Sequence, residues 1–234
     1  MTTKEIKKIA RIAGILYLSV AILAPLGDMV FRAGLVIQGD AAATASNIMA
    51  SEGKYRLGFM SDLFTQVIHV FLVLFLYKLL KPINKNQAKI MLVLGLVSVP
   101  ITMLNELNNI APLLLLSGAD YLNVFPADQL NALVTFFIDL HAQGVSISTI
   151  YWGLWLFPMG YLIFKSSYLP KYLGILLIIA GAGYLIDFVL FFLFPSLSIS
   201  IVIFTFWGEV LFPLWLLIKG VRVEEWQKLT HESV

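Results

Sequence analysis

Apolar runs long enough to cross a bilayer recur six times along the chain, at 9–31, 58–80, 90–117, 130–164, 172–194 and 199–219. A helix needs about 20 such residues to span the hydrocarbon. The breaks between the runs are polar or contain proline, as in KPINKNQAK (81–89), GADYLNVFPADQ (118–129) and KSSYLPK (165–171). The pattern predicts an all-α polytopic membrane bundle of six transmembrane helices. It forms one domain over 1–234, with 220–234 as a tail.

Two runs depart from a plain hairpin rhythm. The stretch DAAATASNIMASEGKYR (40–56) is rich in alanine, lacks proline and predicts a short surface helix ending near Gly53. The fourth helix can start at Pro126. If it runs to Phe164 it is about 58 Å long at 1.5 Å per residue, too long for one crossing. It must either stand clear of the bilayer or break, and Gly144 is the expected break. Pro100, Pro158 and Pro213 are expected to kink their helices. WGLWLFPMGYLI (152–163) and WGEVLFPLWLLI (207–218) share Trp, Gly, Leu, Phe, Pro, Leu and Ile. With similar flanks on the odd-numbered spans, this suggests three hairpins of similar build.

Composition agrees with the pattern, since 59% of residues are hydrophobic and 13% charged, against about 25% charged in soluble domains. The net charge of +2 is spread over the loops and forms no stripe with interleaved aromatics, so a nucleic-acid partner is not expected. Its distribution sets topology instead. With the amino terminus inside, Lys4, Lys7, Lys8, Arg11, Lys78, Lys81, Lys85, Lys89, Lys165, Lys171, Lys219, Arg222 and Lys228 are cytoplasmic, and only Arg32, Lys54 and Arg56 lie outside. Such an excess predicts that both termini are cytoplasmic. The first run is read as a retained span, not a signal peptide, because it is long and Pro25 follows the one stretch suited to cleavage. There is no cysteine, so disulfides, thiolate catalysis and cysteine metal sites are excluded.

Each expected span holds one acidic residue: Asp28, Asp62, Glu106, Asp139, Asp187 and Glu209. No lysine or arginine is placed deep in a span to pair with them. An ionised group at the bilayer centre costs about 2.5–3.5 kcal/mol, so these acids should face a bundle interior or a wet cavity. Asp28, Glu106 and Asp187 fall roughly 20–25 Å from the cytoplasmic ends, with Asp62 and Asp139 also in the outer half and Glu209 near mid-depth. Together they suggest a polar pocket opening outward. Asp62, Thr65, Gln66 and His69 share one helix face, as do Ser98, Thr102, Asn105, Glu106 and Asn109. The hydroxyls and amides are read as glue between helices.

His69 and His141, with Asp62 and Asp187, are the candidate ligands for a divalent metal such as zinc. No HEXXH or HXXXH spacing backs them, and Asp139 and His141 point about 200° apart on a helix. Ser61, Ser146, Ser148 and Thr149 lack the GXSXG context of a nucleophile. Trp152, Trp155, Tyr161, Trp207, Trp215 and Trp226 are read chiefly as an interfacial belt.

The segments RIAGILYL (11–18), GDAAATASNIMASEGKYRLGFMSDL (39–63), LLKPINKN (79–86), LLLLSGADYL (113–122), DLHAQG (139–144) and GYLID (183–187) resemble a bacterial family of integral membrane proteins known only as a domain of unknown function. The resemblance implies that the stretch before Asp62, with Asp139, His141 and Asp187, belongs to the family's recurring pattern. It also implies an acidic residue where this chain has His69, which weakens a shared metal site. The expected setting is the bacterial cytoplasmic membrane, with the lipid bilayer as partner. The leading expectation is binding or sensing of a cation, a metal or a small amphiphile at Asp28, Asp62, Gln66, His69, Glu106, Asp139, His141, Asp187 and Glu209. The alternatives are a metal-dependent hydrolase of lipid or peptide and a cation- or proton-coupled transporter.

Overall fold

The computed structural model describes residues 2–197 and 199–232, and the described residues are helices and short connections. Helix α1 (Thr3–Leu26) continues through a π turn, Gly27–Phe31, in which the Arg32 amide donates to the Gly27 carbonyl at 3.0 Å. The first span is therefore Thr3–Phe31. Helix α2 (Ala41–Ala50) is the expected surface helix, and Asp40 caps it by accepting from the Ala43 amide at 2.8 Å. Helices α3 (Glu52–Leu80) and α4 (Lys85–Leu115) are the second and third spans. The second starts at Glu52, earlier than its apolar run, because the polar turn 52–56 is helical as well.

The fourth span, Ala127–Lys165, breaks at Trp155 into α5 (Ala127–Leu154) and α6 (Leu156–Lys165). The expected break near Gly144 is not where the helix yields. Gly144 costs a helix only flexibility, whereas Pro158 has no N–H to return to the Leu154 carbonyl, so the interruption falls one turn before the proline. Helix α7 (Lys171–Leu193) is the fifth span. The sixth apolar run holds α8 (Val202–Thr205) and α9 (Trp207–Ile218), after which α10 (Val223–Glu232) turns away. Among the described residues, five helices are long and apolar enough to cross a membrane alone. Val202–Ile218 makes a sixth crossing only when taken with Val223–Leu229, bent from it by 101°. Gly220, at φ 67°, lets the chain make that bend.

The chain divides into two compact units. Unit 1 comprises residues 1–21, 67–100 and 146–234, and unit 2 comprises 22–66 and 101–145. The core of unit 1 includes Ile6, Tyr17, Leu72, Leu76, Met91, Leu156, Leu173 and Phe212, all buried. Backbone-to-backbone packing organises it. A methyl group on Gly160 would lie 2.5 Å from the Gly174 carbonyl oxygen, and one on Gly174 would run into the Gly160 carbonyl oxygen. The two WG segments use their glycines alike. Gly153 lies against the Gly181 carbonyl of α7, and Gly208 lies against the Leu176–Leu177 backbone of the same helix.

Helix α10 is docked within unit 1. The Leu79 carbonyl accepts from the Tyr168 hydroxyl at 2.8 Å and from Trp226 Nε1 at 3.3 Å. Burial raises the Tyr168 phenol above its ordinary pKa, which keeps it a donor. Trp226 is buried, as is Trp155, so neither belongs to an interfacial belt. Asp187 of α7 closes the last hairpin. It accepts from the Ser200 hydroxyl at 2.7 Å, the Ile201 amide at 2.6 Å and the Val202 amide at 3.0 Å, acting as the cap of α8. Asp187→Ala should therefore lower stability by about 1–2 kcal/mol. The thermal unfolding midpoint of the detergent-solubilised protein should fall accordingly; an unchanged midpoint would remove the cap from the account.

Unit 2 has its own small core, in which Leu35, Ile48, Tyr55, Leu113 and Val134 are buried together. It contains a cavity of about 320 Å³ between the end of α4 and the start of α5, lined by Leu116, Leu122, Phe125, Leu130, Asn123 and Asn131 among others. Asp28, Asp62 and Glu106 are not among its lining residues.

Candidate functional site

Unit 2 gathers a chain of polar side chains around one arginine. Arg32 Nε and Nη2 donate to Asp28 Oδ1 at 2.9 and 2.7 Å, and Nη2 also donates to Asp62 Oδ2 at 2.7 Å. The Arg32 side chain is 9% exposed and that of Asp62 14%, whereas that of Asp28 is 73% exposed. Two glycines make room for the guanidinium. A methyl on Gly27 would lie 2.9 Å from Arg32 Nη2 and 2.5 Å from Asp62 Oδ1, and one on Gly58 would lie 2.9 Å from Arg32 Nη1. Burial alone works against the positive charge, but Asp28 and then Asp62 raise Arg32 above its ordinary pKa, so it stays charged.

The chain continues on α4. Asn109 Nδ2 donates to Glu106 Oε2 at 2.8 Å and reaches toward Asp62 Oδ2 at 3.5 Å. The Tyr55 hydroxyl, from the start of α3, meets the Asn109 carbonyl at 2.8 Å and its side-chain oxygen at 3.1 Å. This fixes which end of the amide faces the acids. The other oxygen of Glu106 lies 3.2 Å from His141 Nε2 on α5. Asn105 donates to the His141 backbone carbonyl at 2.9 Å, and its side chain fills the space that a Cβ on Gly144 would need. Gly144 is thus a packing residue that lets α5 meet α4. Asp28, Arg32, Asp62, Asn109, Glu106 and His141 form one connected series.

The expectation that no cation would pair with the spanning acids fails here. Arg32, placed by charge counting in the outer connection, folds back from the end of the π turn to neutralise two of them. The sequence carried a signal for this, since Asp28 and Arg32 are four residues apart and so lie on one helical face. Asn105, Asn109 and Tyr55 were readable only as packing or as polar positions. Their partners depend on how α3, α4 and α5 meet.

The family described as a domain of unknown function (DUF4386) matches residues 12–220. The chain belongs to that family. A protein of Archaeoglobus fulgidus, named only as an uncharacterized protein, is 34% identical over 159 residues, covering 68% of this chain and 81% of its own length. The likeness therefore reaches an archaeal protein. No solved structure matches. Membership carries no activity with it, and the apolar helices make the chain a multi-pass membrane protein.

The expected site residues of this family member are divided between the two units. Asp28, Asp62, Gln66, Glu106, Asp139 and His141 belong to unit 2, and His69, Asp187 and Glu209 to unit 1. Gln66 is buried, Asp139 is exposed, and Asp187 is occupied as a helix cap. Of the four candidate zinc ligands, Asp62 and His141 lie in unit 2 and His69 and Asp187 in unit 1. Asp62 is already paired with Arg32 and Asp187 with three donors. Among the described residues, no three His, Asp or Glu side chains gather in an arrangement that would hold a metal ion.

Proposed function

We propose that this chain is a membrane-embedded binding or sensing protein whose unit 2 takes a small cation, such as the amine of an amphiphile, at Glu106 and His141. The observation that carries the reading is a charge imbalance. Arg32 is shared between Asp28 and Asp62, and among the described residues Glu106, 4% exposed, has Asn109 and the His141 imidazole as its side-chain hydrogen-bond partners. A buried carboxylate in that position is stabilised by a positive partner, which an incoming cation can supply. Asn109 couples the two halves, because it touches both Glu106 and Asp62. Occupancy at one acid can thereby be felt at the Arg32 pair.

The charge distribution along the loops favours both termini on the cytoplasmic side, with the site reached from the other face. A bacterial cytoplasmic membrane suits that orientation. The hydrolase reading needs His69, His141 and an aspartate within about 2.2 Å of one ion, and no observation favours it.

The test is equilibrium binding of radiolabelled methylammonium and of sodium to the purified full chain. Glu106→Gln preserves the size of the side chain and should weaken binding of the preferred cation by about tenfold or more. Asp128→Asn, at an exposed acid in the first turn of α5, should leave it unchanged. The reading is overturned if the unaltered protein binds neither cation at millimolar concentration, or if Glu106→Gln binds as well as the parent.

A further inference from the structure

Unit 1 holds a second ionisable group in a different setting. Glu209 lies in the first turn of α9. Tyr17, from α1, donates its hydroxyl to Glu209 Oε2 at 3.1 Å, and the Tyr184 hydroxyl of α7 is hydrogen-bonded to the same carboxyl. Aromatic rings wall the group in. Tyr17 packs against Trp155 at 5.9 Å and edge-on against Phe212 at 6.1 Å, while Tyr184 meets Trp152 at 6.3 Å. Among the described residues no salt bridge reaches Glu209. The next ionisable group along α7 is Asp187, which is held by Ser200, Ile201 and Val202. Most lysines and arginines of unit 1 stand near helix ends or in connections, Arg11 within α1 and Lys228 within α10 being the exceptions.

A second ionisable side chain lies in the same aromatic cluster. His69 packs edge-on against Trp155 at 5.0 Å and is 8% exposed. Its ring bonds the Gly95 backbone through one nitrogen, while Nε2 is buried without any partner. A buried imidazole nitrogen left bare is uncommon and calls for a proton, a water or a ligand group. Among the described residues the cluster therefore contains a carboxyl with two donors and no salt-bridge partner, beside an imidazole whose Nε2 is buried without a protein partner.

We propose that this aromatic cluster of unit 1 is a proton-binding site in which Glu209 takes up and releases a proton, Tyr17 and Tyr184 being the positioning residues that hold its ionised form. Opposed effects poise the carboxyl. Two phenol donors and the N-terminal end of α9 favour the anion. Apolar surroundings and the lack of a cation favour the neutral acid. When the acid is neutral its own O–H becomes a donor and the charge that strengthens the two tyrosine bonds is gone, so both bonds weaken. Protonation is thus linked to how α1 and α7 are tied to α9. This site is independent of the reading given for Glu106.

The experiment is labelling of the intact protein in micelles with dicyclohexylcarbodiimide, an apolar reagent that attacks protonated carboxyls, with peptide-resolved mass spectrometry. Label on the Glu209 peptide should be strong at pH 5 and fall severalfold by pH 9. It should be absent from Glu209→Gln. Tyr17→Phe and Tyr184→Phe should each move the fall in labelling to higher pH, because a donor to the anion is lost. A label on Glu209 that does not vary with pH, or no label at any pH while denatured protein is labelled, overturns the proposal. So do tyrosine variants that label like the parent. Peptides carrying Asp62 and Glu106 are read in the same run, so failure at Glu209 is distinguishable from failure of the cation site.

Discussion

Replacing Arg32 with methionine is expected to cost about 3–5 kcal/mol of stability, because it leaves the Asp62 carboxylate buried without its cation. Asp62 Oδ2 receives an ion-pair hydrogen bond from Arg32 Nη2 at 2.7 Å, with Asn109 only marginally in reach at 3.5 Å. Methionine fills similar space between Gly27 and Gly58, so the loss reports charge more than volume. The control is a double variant, Arg32→Met with Asp62→Asn, in which neither partner is charged. It should recover most of the loss, since removing both members of a buried pair is often nearly neutral. Thermal unfolding of the detergent-solubilised single and double variants measures this. If the single variant unfolds with the parent, the Arg32–Asp62 contact is not a structural link in unit 2. If the double variant is as weak as the single, the guanidinium matters for its packing and not for its charge.

Gly174→Leu is the second large effect, about 3 kcal/mol or more from overpacking. The obstruction is backbone, which cannot rotate out of the way. Beyond the Gly160 carbonyl, a Cβ at Gly174 would lie 2.6 Å from the Phe164 amide nitrogen. Helices α6 and α7 would have to separate. Gly118→Leu is an informative comparison in space, since nothing lies within 4 Å of its missing Cβ, although its φ of 69° adds strain of another kind. The measurement is the yield of monodisperse protein after solubilisation, followed by its unfolding midpoint. A Gly174→Leu protein as abundant and stable as the parent would mean that the hairpin closes differently.

The spans were legible because membrane helices are written in long apolar runs, and five of the six expected runs correspond to helices able to cross alone. The alanine-rich surface helix was legible for a similar reason, being a local property. The site was legible only in part. Asp28, Asp62, Glu106 and His141 were flagged as ionisable groups in apolar surroundings, and they come together in unit 2. What the sequence withheld was the sorting of the acids. Asp187 and Asp62 look alike as isolated acids in apolar runs, yet one caps the next helix and the other pairs with an arginine. Arg32 sits one residue past the first span, where counting loop charges assigns it to solvent. Only the π turn shows that it comes back. The break at Trp155 was missed for a comparable reason: glycine looked like the weak point, while the missing N–H of Pro158 decided the matter.

The cap supplied by Asp187 has a bearing on how the chain enters the bilayer. The carboxyl is made before its donors at 200–202, so a fifth helix released alone into lipid would carry a bare anion. Synthesis of another 15 residues provides the hydroxyl and both amides. The last two crossings are thus suited to leave the translocation machinery together, with the acid already satisfied, and a ribosome stalled between them would strand the fifth at its costliest moment.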